Sequence, residues 1–272
     1  MNELDIIRII QSIHNEFLDG MFQLITSLGE STIILIFILS LYWTVNKKMG
    51  EYIAYSFFTS GVLNNSLKNF FKAPRPIGEE GIRSIRVHTA TGYSFPSGHS
   101  QGAASTYSAF AIFNKKKIIN LSVIFLISFI GISRLYLGVH YPKDVIVGLI
   151  LGVLTAAITY FLFNKIENHQ LLYLMTLMIF IPGIFNSSMD LTKSMGSFIG
   201  FCFGTLVEVK KVNFSTDIRL IQKILRTFFG AMILLILKAV LPNDEYLSIF
   251  LSNTVLTFIG FGIVPFSFKY IK

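Results

Sequence analysis

The sequence predicts an all-α protein, a polytopic bundle of membrane helices, and three observations carry that expectation. Of its 272 residues, 53% are hydrophobic and only 14% are charged, with a mean hydropathy of +0.63. Apolar runs of about 20 residues recur along the chain, the length a helix needs to cross a bilayer core. The Lys and Arg residues behind the net charge of +8 sit in short connections between those runs. That distribution reads as membrane topology, so no nucleic-acid partner is expected. The lone Cys202 excludes an internal disulfide and a Cys-based metal cluster.

Residues 1–28 form the first segment. Ile6, Ile7, Ile9, Ile10 and Ile13 alternate with Arg8, Gln11 and His14, and Phe17, Met21, Phe22 and Leu24 follow. Apolar positions at three-to-four spacing predict amphipathic helices lying in the membrane interface or packed on the bundle. Met1 to Asn15 carries Glu3 and Asp5 and has no basic leader, so no cleaved signal peptide is expected. Spans are then expected at about 31–46, 51–71, 98–113, 118–137, 143–164, 170–186, 194–208, 224–241 and 246–268. Pro182 and Gly183 interrupt the sixth. The seventh is short and rich in glycine (Gly196, Gly200, Gly204), which predicts tilting or kinking of both.

Charge sets the orientation. Lys47-Lys48, Lys115 to Lys117, Lys165, the stretch with Lys210, Lys211, Arg219 and Lys223, and the tail with Lys269 and Lys272 share one face if nine spans alternate. The other face receives Glu3, Asp5, Glu16, Asp19, Glu30, Asp190, Asp244 and Glu245. The positive-inside rule makes the Lys face cytoplasmic, with the N-terminus outside and the C-terminus inside.

Three polar clusters break the apolar pattern, and all fall on the outer face: Lys68 to Arg75-Pro76, Pro96-Ser97-Gly98-His99, and Ser133-Arg134 with His140 and Asp144. Ionisable groups at membrane depth are costly, which marks a functional site. The basic loop 72–96 (Lys72, Arg75, Arg83, Arg86) runs against the positive-inside trend, and a bound anion would account for it. Arg75 and Arg134 offer forks matched to phosphate oxygens, and Lys68 offers a point charge. Lys68 and Arg75 face one side if the helix persists, but Pro74 and Pro76 predict that it ends near there. Ser97 is placed to cap the third span, Gly98 admits a close backbone approach, and the freed N–H groups near Ser97, Gly98 and His99 point at a ligand and form an anion site. His140 and Asp144 are four residues apart, and Pro142 permits a helix start between them. An Asp that accepts from Nδ1–H leaves Nε2 as the nucleophile. His99 then protonates the leaving oxygen.

In order, Lys-x6-Arg-Pro (68–76), Pro-Ser-Gly-His (96–99) and Ser-Arg-x5-His-x3-Asp (133–144) resemble the three-part signature of the type 2 phosphatidic acid phosphatase superfamily. Every signature position matches, over about residues 60–150. The resemblance implies a six-helix catalytic core, placed at 29–186, and hydrolysis of phosphate esters without a metal or other cofactor. It implies phosphorylation of His140, orientation by Asp144, general-acid action by His99, and phosphate binding by Lys68, Arg75, Ser97, Gly98 and Arg134. Residues 187–272 then hold three further membrane helices to which the signature assigns no role. Nine spans with an outside N-terminus are similar to the arrangement of glucose-6-phosphatase.

The expected substrate is a lipid phosphate or diphosphate: a polyprenyl diphosphate, phosphatidylglycerol phosphate or phosphatidic acid. The expected partners are that lipid and the bilayer, with no obligate protein partner. The alternatives are a sugar-phosphate phosphatase, a phosphotransferase to a hydroxyl acceptor, and a lipid transporter using the same phosphate site. A vanadate-dependent peroxidase ranks last, because its soluble members lack this membrane character. His14 and His169 read as polar surface residues, while His88 is a further candidate for substrate contact. Tyr93, Phe95, Tyr136 and Tyr141 read as an interfacial belt or a lipid entrance. Glu79 and Glu80 are adjacent in a loop and make a poor metal pair.

Overall fold

A computed structural model describes residues 2–181, 188–242 and 244–270. Its described residues form helices and connections with no strand. Two helices open the chain, α1 (Glu3–Gln11) and α2 (Glu16–Ser27). Asn2 and Asn15 cap them, accepting from the N–H groups of Leu4 and Leu18. Nine more follow: α3 (Ser31–Thr44), α4 (Lys47–Phe71), α5 (Gly98–Asn114), α6 (Lys117–Tyr136), α7 (Pro142–Lys165), α8 (His169–Phe180), α9 (Met189–Val207), α10 (Leu220–Val240) and α11 (Tyr246–Phe258). α11 continues as a π-turn over Ile259–Ile263 and a 3₁₀ segment over Val264–Tyr270.

The nine helices α3 to α11 occupy the nine stretches expected. By length and composition, α6, α7, α10 and the run Tyr246–Phe268 qualify as membrane spans. α2 and α3 qualify only as a pair, bent by 51°. The other described helices are shorter or more polar. α4 carries Asn64, Lys68 and Asn69, and α5 carries Ser100, Gln101, Ser105 and Thr106, all buried. A helix that turns polar groups toward its neighbours need not look apolar along its length. Pro182, Gly183 and Lys272 lie outside the described residues.

The chain forms two compact units. One comprises Met1–Ile34 with Leu63–Ile158, and the other Leu35–Val62 with Thr159–Lys272. All three polar clusters belong to the first. Within it α5 packs on α6, and α7 lies close against α5. A Cβ on Gly152 would stand 2.5 Å from the Gln101 carbonyl, and one on Gly148 2.8 Å from the Ser97 carbonyl. α1 and α2 pack on α6 and keep Ile9, Phe17 and Leu24 exposed on their outer side, with Ile13 exposed in the connection between them.

The second unit gives the glycines of α9 a packing role, and the helix runs unbroken over Met189–Val207. Gly196 and Gly200 form its contact face with α11: a Cβ on Gly200 would stand 2.1 Å from the Thr254 carbonyl. Small residues at four-residue spacing let two membrane helices approach backbone to backbone. Phe58, Phe198, Phe201 and Phe261 fill this unit's core. The buried Glu208 is paired there with Lys47 at 2.6 Å and accepts from the Phe214 N–H.

Candidate active site

Lys68 lies in the last turn of α4 and is 7% exposed. Its amine stands 4.0 Å from the position a Cβ on Gly98 would take, so the bare glycine keeps this approach open. One turn earlier on the same face, Asn64 donates to the Pro96 carbonyl (3.3 Å) and to Gln101 Oε1 (2.8 Å). That amide ties α4 to the start of α5. α4 ends at Phe71 and Lys72 is left-handed (φ 48°), so Arg75 arrives from a loop and not from the helix face of Lys68. The carbonyls of Gly92 (3.0 Å), Thr91 (2.6 Å), Tyr93 (3.2 Å) and Val139 (2.9 Å) hold its guanidinium.

Arg75 Nη1 also lies 3.0 Å from His140 Nε2. A guanidinium only donates, so Nε2 must accept and the proton of a neutral ring sits on Nδ1. Nδ1 faces two acceptors, Ser94 Oγ at 3.3 Å and Asp144 Oδ2 at 3.4 Å. Ser94 Oγ donates to the same Asp144 oxygen at 2.5 Å, and the Tyr141 N–H donates to it at 2.9 Å. These donors serve Oδ2 alone, and Oδ1 of this fully buried carboxylate has no partner among the described residues. α7 begins at Pro142, so His140 stands just before the helix and a helix-start turn makes the pair. Burial, followed by the charges of Arg75, Arg134 and Lys68, holds the His140 imidazole well below the usual histidine range. Three cations outweigh the one carboxylate beside it.

Ser97 caps α5, its hydroxyl accepting from the Ser100 N–H at 3.4 Å. Its own N–H does not point to a ligand as expected but donates to the Asp144 carbonyl at 2.9 Å, locking the starts of α5 and α7 together. The N–H groups of this helix start that stay available to an anion are therefore those of Gly98 and His99. His99 Nε2 is buried with no partner among the described residues, and so are Nε and Nη2 of Arg134. These atoms fit an anionic oxygen.

The rest of the basic loop has a different explanation from the one expected. Arg83 makes a two-point pair with Asp19 (2.6 Å each), and Arg86 pairs with Glu30. Carboxylates of the N-terminal region, not substrate, account for these two charges. His88 is exposed in a 3₁₀ turn. Tyr136 is buried and stacked on Phe22, so it lines no entrance. His169 is no bare surface residue: it stacks on Phe163 and reaches Glu51. Among the described residues, no group of three or more His, Cys, Asp and Glu side chains is placed to hold a metal.

The profile of the PAP2 superfamily matches residues 51–167. The phosphatidylglycerophosphatase B of Bacillus subtilis is 34% identical over 153 residues, 52% of this chain and 70% of that one. The chain belongs to the PAP2 superfamily. It is a multi-pass membrane phosphatase of PAP2 type. The profile of the PAP2 superfamily phosphatase transmembrane extension matches residues 192–272, which hold most of α9 with α10 and α11. The dolichyldiphosphatase of Saccharomyces cerevisiae is 30% identical over 56% of this chain, which spans 65% of that relative's length. The crystal structure of a transmembrane PAP2 phosphatidylglycerolphosphate phosphatase from Bacillus subtilis superposes with a TM-score of 0.53 at 28% identity, covering 61% of this PAP2 chain and 86% of that one.

Sequence reading had named Lys68, Arg75, Ser97, Gly98, His99, Arg134, His140 and Asp144, and one compact unit holds them all. It missed Ser94, two residues before the Pro-Ser-Gly-His run, and Asn64, one helical turn before Lys68. The i, i+4 spacing to Lys68 was a readable signal for Asn64. Ser94 had none, because its partner lies 50 residues away.

Proposed function

We propose that the protein hydrolyses a lipid phosphate or diphosphate at the extracytoplasmic face through a phosphohistidine on His140. The observation that carries this reading is His140 itself, with Nε2 held 3.0 Å from a donor-only guanidinium and Nδ1 turned to Asp144 and Ser94. Nε2 is thus unprotonated, and its lone pair accepts from Arg75 until a phosphoryl oxygen takes that N–H. In the first step that pair attacks phosphorus, a P–N bond forms, and the P–O bond to the leaving group breaks. Lys68, Arg75, Arg134 and the N–H groups at Gly98 balance the phosphoryl charge, with Ser97 fixing the helix start. His99 protonates the leaving oxygen and then takes a proton from water. The resulting hydroxyl attacks phosphorus, the P–N bond breaks, and phosphate departs.

Exposed Phe70 and Phe71, just beyond Lys68, support an amphiphile whose tail stays in lipid, as do the activities named for the two relatives. The Lys-rich connections at the other ends of these helices support the extracytoplasmic face. The test uses purified protein in detergent with EDTA, offered phosphatidylglycerophosphate, a polyprenyl diphosphate, phosphatidic acid and a sugar phosphate. Release from the lipids is expected, with a loss of at least about 10³-fold in His140→Ala. Full activity in that variant would sink the mechanism. Equal release from the sugar phosphate would move the substrate class, and transfer to added glycerol would make the enzyme a phosphotransferase.

A further inference from the structure

Arg134 lies in the last turn of α6 and is fully buried. Its Nη1 donates to Thr26 Oγ1 at 2.7 Å. Its Nε and Nη2, which form the opposite edge of the planar fork, meet no partner among the described residues. A guanidinium grips an anion in two-point fashion through such an edge. Which way the edge points is set by what holds the other side, and that is a hydroxyl on α2, outside the stretch matched by the family profile.

α2 is itself immobilised on the turn of α6 that carries Arg134. Asp19 accepts from both Arg83 nitrogens and from the Tyr136 hydroxyl, at 2.6 Å each. Phe22 stacks on Tyr136 with ring centroids 4.2 Å apart. Arg86 Nη1 donates to the Gln23 carbonyl, and the Tyr107 hydroxyl to the Leu28 carbonyl. Thr26 is 0% exposed and sits in the last turn of α2, where the helix dipole presents negative charge to a cation.

We propose that Thr26 is a positioning residue: it fixes the Arg134 guanidinium so that the Nε–Nη2 edge receives the phosphoryl group of the substrate. The N-terminal helices are thereby part of the phosphate site. This inference rests on the proposed role of Arg134 in binding phosphate and adds the element that aims it.

The experiment compares Thr26→Val, which keeps shape and loses the acceptor, with Thr26→Ser, which returns the hydroxyl. It reads KM and kcat for phosphatidylglycerophosphate, the inhibition constant of inorganic phosphate, and the thermal unfolding midpoint. Thr26→Val is expected to raise KM and the phosphate inhibition constant about tenfold, the effect of one lost hydrogen bond to a charged group. Thr26→Ser restores both. In an Arg134→Ala background Thr26→Val has no further effect, because the two act as one unit. A purely structural residue would instead lower the unfolding midpoint and add its effect in that background, and this result overturns the proposal. Unchanged phosphate inhibition in a folded Thr26→Val also overturns it. Arg134→Ala by itself keeps the two claims apart: unchanged phosphate inhibition there sinks the role of Arg134 in binding phosphate, whereas weakened inhibition there with unchanged inhibition in Thr26→Val sinks only the positioning role.

Discussion

At the scale of the residue, the proposed chemistry turns on which nitrogen of His140 carries the proton. Arg75 cannot accept, so its approach to Nε2 puts the proton on Nδ1, facing Asp144 and Ser94. Ser94 shares one carboxylate oxygen with the imidazole, and its hydroxyl narrows the positions the ring can take. Replacing Ser94 by Ala is expected to lower kcat about tenfold while leaving inhibition by phosphate unchanged. Steady-state kinetics of the purified variant check this, and an unaltered kcat would count against the role. The depressed proton affinity of His140 has a second consequence. The neutral form, which we propose as the nucleophile, persists below the ordinary value of about 6.5, so the acid limb it would contribute to kcat/KM lies below that pH. Stability follows the same sign. Below about pH 6.5 the unfolded chain takes up a proton that the folded one refuses, so this site's contribution falls as pH drops and is constant above. A kcat/KM profile with its acid limb at or above 6.5 and assigned to His140 would contradict the burial argument.

At the scale of the element, proline and glycine do most of the placing. Pro74 and Pro76 follow the end of α4 and leave Arg75 on a loop that can fold back to His140. Pro142 starts α7 directly after His140 and Tyr141. These punctuation marks were legible in the sequence, and the helix ends lie where they predict. The glycines of α9 were legible as residues but not in their role. Periodicity gives a four-residue spacing, yet only the packed partner distinguishes a kink from a contact face. Adding one methyl at Gly200 forces the Thr254 backbone away. Gly200→Ala is expected to cost about 1–3 kcal/mol, read as a lower unfolding midpoint in detergent, with the phosphate inhibition constant unchanged.

At the scale of the whole molecule, the distribution of Lys and Arg predicts which end of the bundle faces outward. In a Cys202→Ser background, Glu79→Cys on intact cells should react with a membrane-impermeant maleimide, and Lys116→Cys should react only after lysis. The reverse pattern would place the phosphate site in the cytoplasm. The sequence by itself determined the helical class, the nine apolar stretches and the three clusters that bear the chemistry. Each of these is written locally, in hydropathy over one turn of chain or in motif residues a few positions apart. Only the tertiary structure decided that Arg83 and Arg86 serve Asp19 and Glu30, that Ser94 shares the Asp144 carboxylate, and that Thr26 holds Arg134. These partners lie from 50 to 108 residues apart. A hydroxyl or carboxylate has no preference for a distant partner until packing removes water and leaves one donor within reach.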